Sequence, residues 1–226
     1  MDMHIIEAEF KPDRGTLLAR MGLEVDSDEG EDFLALLEQV MPLAKPKTAV
    51  GSVGVEALDE DFGRVVLGGV EFTSTLLARN LKGVDTVWPA FATCGRELYD
   101  FAMAMPDPFE RFWVEEIMQQ ALHDVRLVME EYLAAAHYAG KKAYMGPGSL
   151  KEWPIGQQRP LFRLFGGAAD RCGVTLTDSL LMLPNKTVSR IYFPNESGYI
   201  NCSLCPKEKC PNRRAKFDPE LAAAAM

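Results

Sequence analysis

The sequence predicts an α+β fold. Helical and strand-like segments are not strictly alternated, which argues against a doubly wound parallel sheet. One long helical pattern occupies the middle of the chain, and short strands crowd towards its end. A chain of 226 residues with 47% hydrophobic and 25% charged residues can bury a sizeable core without staples.

The elements follow in order. Residues 1–30 read as an N-terminal arm with one short helix, Arg14 to Met21. The segment EDFLALLEQVMPLA (31–44) places Phe33, Leu36, Leu37 and Val40 at helical spacing, and Pro46 ends it. GRVVLGG (63–69) reads as a strand. Thr73 or Ser74 then caps a helix that runs through Leu81 and stops at Gly83. DTVWPAFAT (85–93) reads as a buried strand, with Pro89 favouring an edge or a bulge.

The clearest helix spans 108–139. Asp107 is a good N-cap, Pro108 suits the first turn, and Ile117, Ala121, Val125, Val128 and Tyr132 form one stripe. Its length leaves room for a break. A glycine–proline loop and a helix over 157–172 follow. Strands then cover 174–176, 180–183, 187–193 and 199–202, the last two joined by PNESG as a hairpin.

Charge and composition exclude several functions. The net charge of −9 opposes a phosphate-binding surface, so nucleic acid is not an expected partner. No apolar run approaches the roughly 20 residues a bilayer span needs. The N-terminus carries acids and no long apolar core of a secretory signal, so a cytoplasmic location is expected. There is no H-E-x-x-H, Walker loop or G-x-S-x-G.

Two features carry chemistry. Cys202, Cys205 and Cys210 form C-x2-C-x4-C, a spacing that lets thiolates reach one metal from a tight turn. A closed site needs a fourth ligand, for which Cys94, at a strand-to-helix corner, or Cys172 is a candidate; an open iron position is the other possibility. An iron–sulfur cluster, zinc, or free redox thiols all fit this pattern. The second feature is the loop MGPGS. Gly146 and Gly148 around Pro147 would let a ligand approach the backbone, and Tyr144, Trp153 and Tyr199 could stack on a flat base.

The order of these motifs resembles a known family. PGSLKEWPIGQQRPLFRLF and GVTLTDSLLMLPNKTVSRIYF, preceded by the T-x-G-x-E-L corner (TCGREL), are similar to the activation (reactivation) domain of cobalamin-dependent methionine synthase. The resemblance covers residues 35–200 and implies a curved domain around a twisted antiparallel sheet; residues 1–200 are read as that domain, and 201–226, outside the resemblance, as a cysteine-rich tail. It implies S-adenosylmethionine in a shallow groove and a corrinoid-binding partner that presents cobalamin. Free-standing versions in anaerobes are the better likeness.

The function so implied is an accessory activator that supports reductive methylation of oxidised corrinoid; an iron–sulfur cluster at C-x2-C-x4-C, outside the resemblance, would add a local electron source. A non-catalytic corrinoid-protein binding module with a structural zinc tail is the alternative, as is a corrinoid-dependent methyltransferase component. In the family an arginine precedes the proline–glycine loop and an aromatic follows it; those places are held here by Tyr144 and Ser149.

Overall fold

A computed structural model describes residues 2–210 and 213–225. The chain runs β1 (Met3–Glu7), α1 (Arg14–Met21), α2 (Asp28–Val40), β2 (Lys47–Gly51), β3 (Val53–Asp59), β4 (Arg64–Leu67), β5 (Val70–Thr73) and α3 (Thr75–Asn80). It continues through β6 (Thr86–Thr93), α4 (Arg96–Ala104), α5 (Pro108–Ala136), β7 (Lys142–Met145), α6 (Gln158–Phe165) and α7 (Gly167–Arg171). The last elements are β8 (Thr175–Leu176), β9 (Met182–Leu183), β10 (Thr187–Pro194) and α8 (Pro219–Ala225). The α+β expectation holds, with every strand pairing antiparallel.

Strand β6 organises the sheet. Along one side it pairs with β10, Thr93 opposite Thr187 and Trp88 opposite Tyr192. Along the other it pairs first with β2, then with β3. Pro89 therefore sits in a central strand, not at an edge. It falls between the Val50–Ala90 and Val53–Val87 pairs, where the ladder passes from β2 to β3, so its missing donor interrupts a seam that is already discontinuous. Beyond β10 lies β7, which pairs residues 142–145 with Pro194 to Ile191. The expected hairpin of 187–193 with 199–202 does not form. Residues Asn201–Leu204 make a 3-10 turn, and β7 takes the open edge of β10 instead.

Helix α5 is unbroken over its 29 residues, roughly 43 Å of rod. The Asp107 carboxylate accepts from the N–H groups of Phe109 and Glu110, as its sequence position suggested. Its first half packs with α1, α2 and α4 through Trp113, Val114, Ile117 and Ala121 against Phe33, Leu37 and Leu98. Its second half lays Leu122, Val125, Met129 and Leu133 across the sheet, against Trp88, Ala90 and Tyr192. Each such side chain contributes roughly 1.5–3 kcal/mol relative to exposure. The opposite face of the sheet is covered by α3, α6 and α7, with Phe72, Phe91, Leu161 and Phe165 at its centre. The helix expected over 157–172 is divided at Gly166, whose backbone lies at φ 55, ψ −143.

Among the described residues, no helix is long and apolar enough to cross a membrane.

Candidate functional site

Tyr144, the MGPGS loop and Tyr199 come together beside β7 and the end of β10, whereas Trp153 and Cys94 do not join them. Alternation along these strands decides which side chains arrive there. Ala143, Met145, Ile191 and Phe193 point into the α6 side of the core. Tyr144 and Tyr192 point to the α5 side, their rings 5.4 Å apart.

The MGPGS loop follows β7. A Cβ on Gly146 would stand 2.7 Å from the Ser189 carbonyl oxygen, so only glycine lets the loop lie this close to β10. Gly148, at φ +81, donates its N–H to the Trp153 carbonyl at 2.7 Å and closes the loop on itself. Pro147 is buried, whereas Gly148 and Ser149 are exposed.

Trp153 corrects the expectation of a stacking platform. Its ring is 0% exposed and meets Phe72 edge-on at 6.1 Å within the core. It shapes the loop from beneath and offers no face to a ligand.

Tyr199 does line a cleft. Asn195 fixes it by accepting the Tyr199 N–H at 2.8 Å and donating to its carbonyl at 3.0 Å. Its hydroxyl donates to Asn201 at 3.0 Å. Burial, then the nearby Glu152 and Cys202, push the phenol well above its usual pKa.

Among the cavities that flank the tail segment, two adjoin the expected site residues Tyr144 and Gly148. One, of about 400 Å³, is lined by Tyr144, Asn195, Tyr199, Cys202 and Arg214. The other, of about 550 Å³, lies between Gly148, Ser149 and Glu152 on one side and Leu204, Cys205 and Phe217 on the other. The loop and the tail are thus brought together, with Tyr144 and Tyr199 in one recess and Gly148 in the next.

The cysteines are not gathered. Cys94 is fully buried beside α2, α4 and α5, and burial pushes its thiol to about 12. Its N–H donates to the Lys186 carbonyl at the start of β10, while Cys202 follows the end of that strand. The length of β10 separates them by roughly 20 Å, which removes Cys94 as a fourth ligand. Cys172 is also buried, its thiol raised to about 11 by burial.

Among the described residues no three His, Cys, Asp or Glu side chains converge on a point that could hold a metal ion. The tail is held by other means. The Arg213 guanidinium donates to the carbonyls of Cys202, Cys205 and Ala215 at 3.3, 3.1 and 3.0 Å, and to that of Lys207. The Cys202 sulfur accepts the Arg214 N–H at 3.4 Å.

A cluster that the sequence reading did not single out borders the first cavity. Arg190 lies over the Tyr144 ring at 3.8 Å and donates to the Tyr192 hydroxyl at 3.1 Å. Arg214 approaches the same ring at 5.1 Å. Both face Glu130 of α5, at 3.7 and 3.9 Å. Arg126, one helical turn before Glu130, belongs to the same group. Arg190 was legible in principle, because strand period puts it on the same face as Val188 and Tyr192.

Comparison with known proteins agrees with this architecture. Residues 115–216 match the family described as "Vitamin B12 dependent methionine synthase, activation domain". This chain is similar to the activation domain of vitamin B12-dependent methionine synthase. The match begins inside α5 and ends after the third tail cysteine, so β7, β10, the MGPGS loop and C-x2-C-x4-C all lie within it.

A solved structure, described as the MetH reactivation domain bound to AdoHcy, shares the fold. The TM-score is 0.65 at 14% identity, over 89% of this chain and 81% of that one. No curated protein matches.

Proposed function

We propose that this chain is an accessory activator of a corrinoid-dependent methyltransferase, supporting reductive methylation of oxidised corrinoid with S-adenosylmethionine as methyl donor. The observation that carries this reading is the activation-domain match over residues 115–216, which contains both walls of the Tyr144–Tyr199 cleft. The fold match to a domain described as bound to AdoHcy supports a ligand of that class.

In this reading residues 1–200 are the activation-like domain and 201–226 a tail that borders the ligand groove. Tyr144 and Tyr199 supply aromatic walls, and exposed Gly148 supplies accessible backbone. Gly146, Pro147 and Trp153 set the shape of the loop. The partner is a corrinoid-binding protein or domain. The described cysteines do not form a donor set for a cluster or for zinc, so no step of the reading passes through one.

The test is spectroscopic. The chain is mixed with a corrinoid protein in the cob(II) state, S-adenosylmethionine and a low-potential reductant, and the growth of methylcobalamin is followed. The expected result is conversion that depends on the chain. Equal conversion without it would refute the activator. Complex formation without conversion would assign the chain to a binding module instead.

A further inference from the structure

We propose that Arg126, Arg190 and Arg214 form an oxyanion-binding site at the head of the Tyr144–Tyr199 cleft. Three guanidinium groups, from α5, β10 and the tail, face a single carboxylate, Glu130. Like charges at half-buried positions repel, and a second anion would offset that repulsion. Glu130 does not satisfy the group, because its contacts with Arg190 and Arg214, 3.7 and 3.9 Å, are longer than hydrogen bonds.

Donors remain available. Among the described residues, the one hydrogen bond from the Arg190 side chain goes to Tyr192. The Arg126 Nε is buried and has no partner there. A guanidinium takes an oxyanion through two parallel N–H groups, a geometry that a lone ammonium does not offer. Lys142, the nearby ammonium, is already engaged by the Tyr138 carbonyl at 2.5 Å and that of Gly140 at 3.3 Å.

Arg190 is also held in place. Its side chain is 11% exposed and its plane rests on Tyr144. Such a group loses little conformational freedom on binding. The adjoining cavity of about 400 Å³ is lined by Tyr144 and Arg214, so an anion at the arginines is contiguous with a ligand between the tyrosines.

The oxyanion can be the carboxylate of a small ligand or a free inorganic anion. Assigning it to the amino-acid end of S-adenosylmethionine rests on the proposed function. The arginine site itself does not.

The experiment separates the two. The full chain is titrated calorimetrically with S-adenosylhomocysteine and with 5′-methylthioadenosine, which keeps the nucleoside and thioether but lacks the carboxylate. The expected result is roughly tenfold or greater preference for the former. Arg190→Met should remove most of that preference while leaving methylthioadenosine binding unchanged. Arg214→Gln, at a residue 47% exposed, repeats the test at low risk to folding.

In parallel, melting is compared in phosphate and in chloride at matched ionic strength. Phosphate should raise the melting temperature of the wild type and leave that of Arg190→Met unmoved. If the wild type binds neither nucleoside, the small-ligand part of the proposed function fails and the phosphate comparison still decides the site. A phosphate effect confined to the wild type, without nucleoside preference, assigns the site to a free anion. The site is overturned if the preference and the phosphate shift are both absent from the wild type or unchanged in both variants.

Discussion

The proline–glycine loop and the cysteine tail face each other across one cavity, yet they are held in opposite ways. The loop is fixed from within. Gly146 rests against the Ser189 carbonyl, Gly148 closes on Trp153, and Trp153 is sunk in the core. The tail is fixed mainly by polar contacts, with the Arg213 guanidinium collecting carbonyls along it, the Asp218 N–H donating to the Ser203 carbonyl, and Arg214 reaching Glu130. Packing on the loop side is distributed over many contacts, so its failure spreads to the core. The tail contributes less to the core, against which only its Leu204 and Cys205 pack among the described residues.

Trp153→Ala should show the largest effect. Emptying a fully buried indole costs about 3–5 kcal/mol, read from denaturant unfolding. A smaller loss would mean that the loop does not depend on the core beneath it. Gly146→Ala should follow at about 1–3 kcal/mol, since backbone must move away from Ser189. A neutral result by the same measurement would show that the close approach is dispensable.

The thiols extend the contrast to pH. Cys94 and Cys172 are raised from 9.0 to about 12 and about 11. Above pH 9 the unfolded chain ionises these thiols while the folded chain keeps them protonated. Their contribution is therefore complete below pH 9 and lost as pH rises through 11 to 12, at up to about 1.4 kcal/mol per unit per thiol. Denaturation series at pH 8 and pH 10.5 on wild type and Cys94→Ala check this; the variant should show the shallower decline. At pH 8, a thiol reagent should modify Cys202, Cys205 and Cys210 in the folded chain and reach Cys94 and Cys172 only after denaturation.

Arg213→Ala should cost least, about 1 kcal/mol or less globally. It should nonetheless speed tryptic cleavage at Lys207 and Lys209 several-fold. Unchanged cleavage would place the tail's anchorage elsewhere.

These contrasts also explain what could be read from the sequence. The α5 helix was legible because its cap, first-turn proline and stripe are local signals that agree with one another. Strands β1 and β2 were not, since their pairing partners lie far away and their period-2 pattern is short, and β3 was not, although β4 is its neighbour, because its register shifts between Val55 and Ala57 and breaks the alternation. The same limitation hid β7, so residues 199–202 were wrongly given its place beside β10.

Within the site, Tyr144, Gly148 and Tyr199 line cavities; Tyr144 and Gly148 were legible from the loop itself, and Tyr199 only as an aromatic able to stack. Trp153 was misread because an aromatic after a glycine loop looks the same in sequence whether it faces solvent or core. The metal set was misread at Cys94, because a sequence pattern does not show that β10 runs between that cysteine and the tail.

Helix α5 joins these regions mechanically. It runs unbroken from Trp113, wedged edge-on against Phe33, to Glu130 beneath the arginines. The two ends of that span are roughly 25 Å apart on a stiff rod. A tilt of about 3° pivoting at Trp113 would move Glu130 by more than about 1 Å, enough to remake or break contacts at hydrogen-bond range. The packing of α1, α2 and α4 around Trp113 is thus linked to the head of the cleft through one continuous helix.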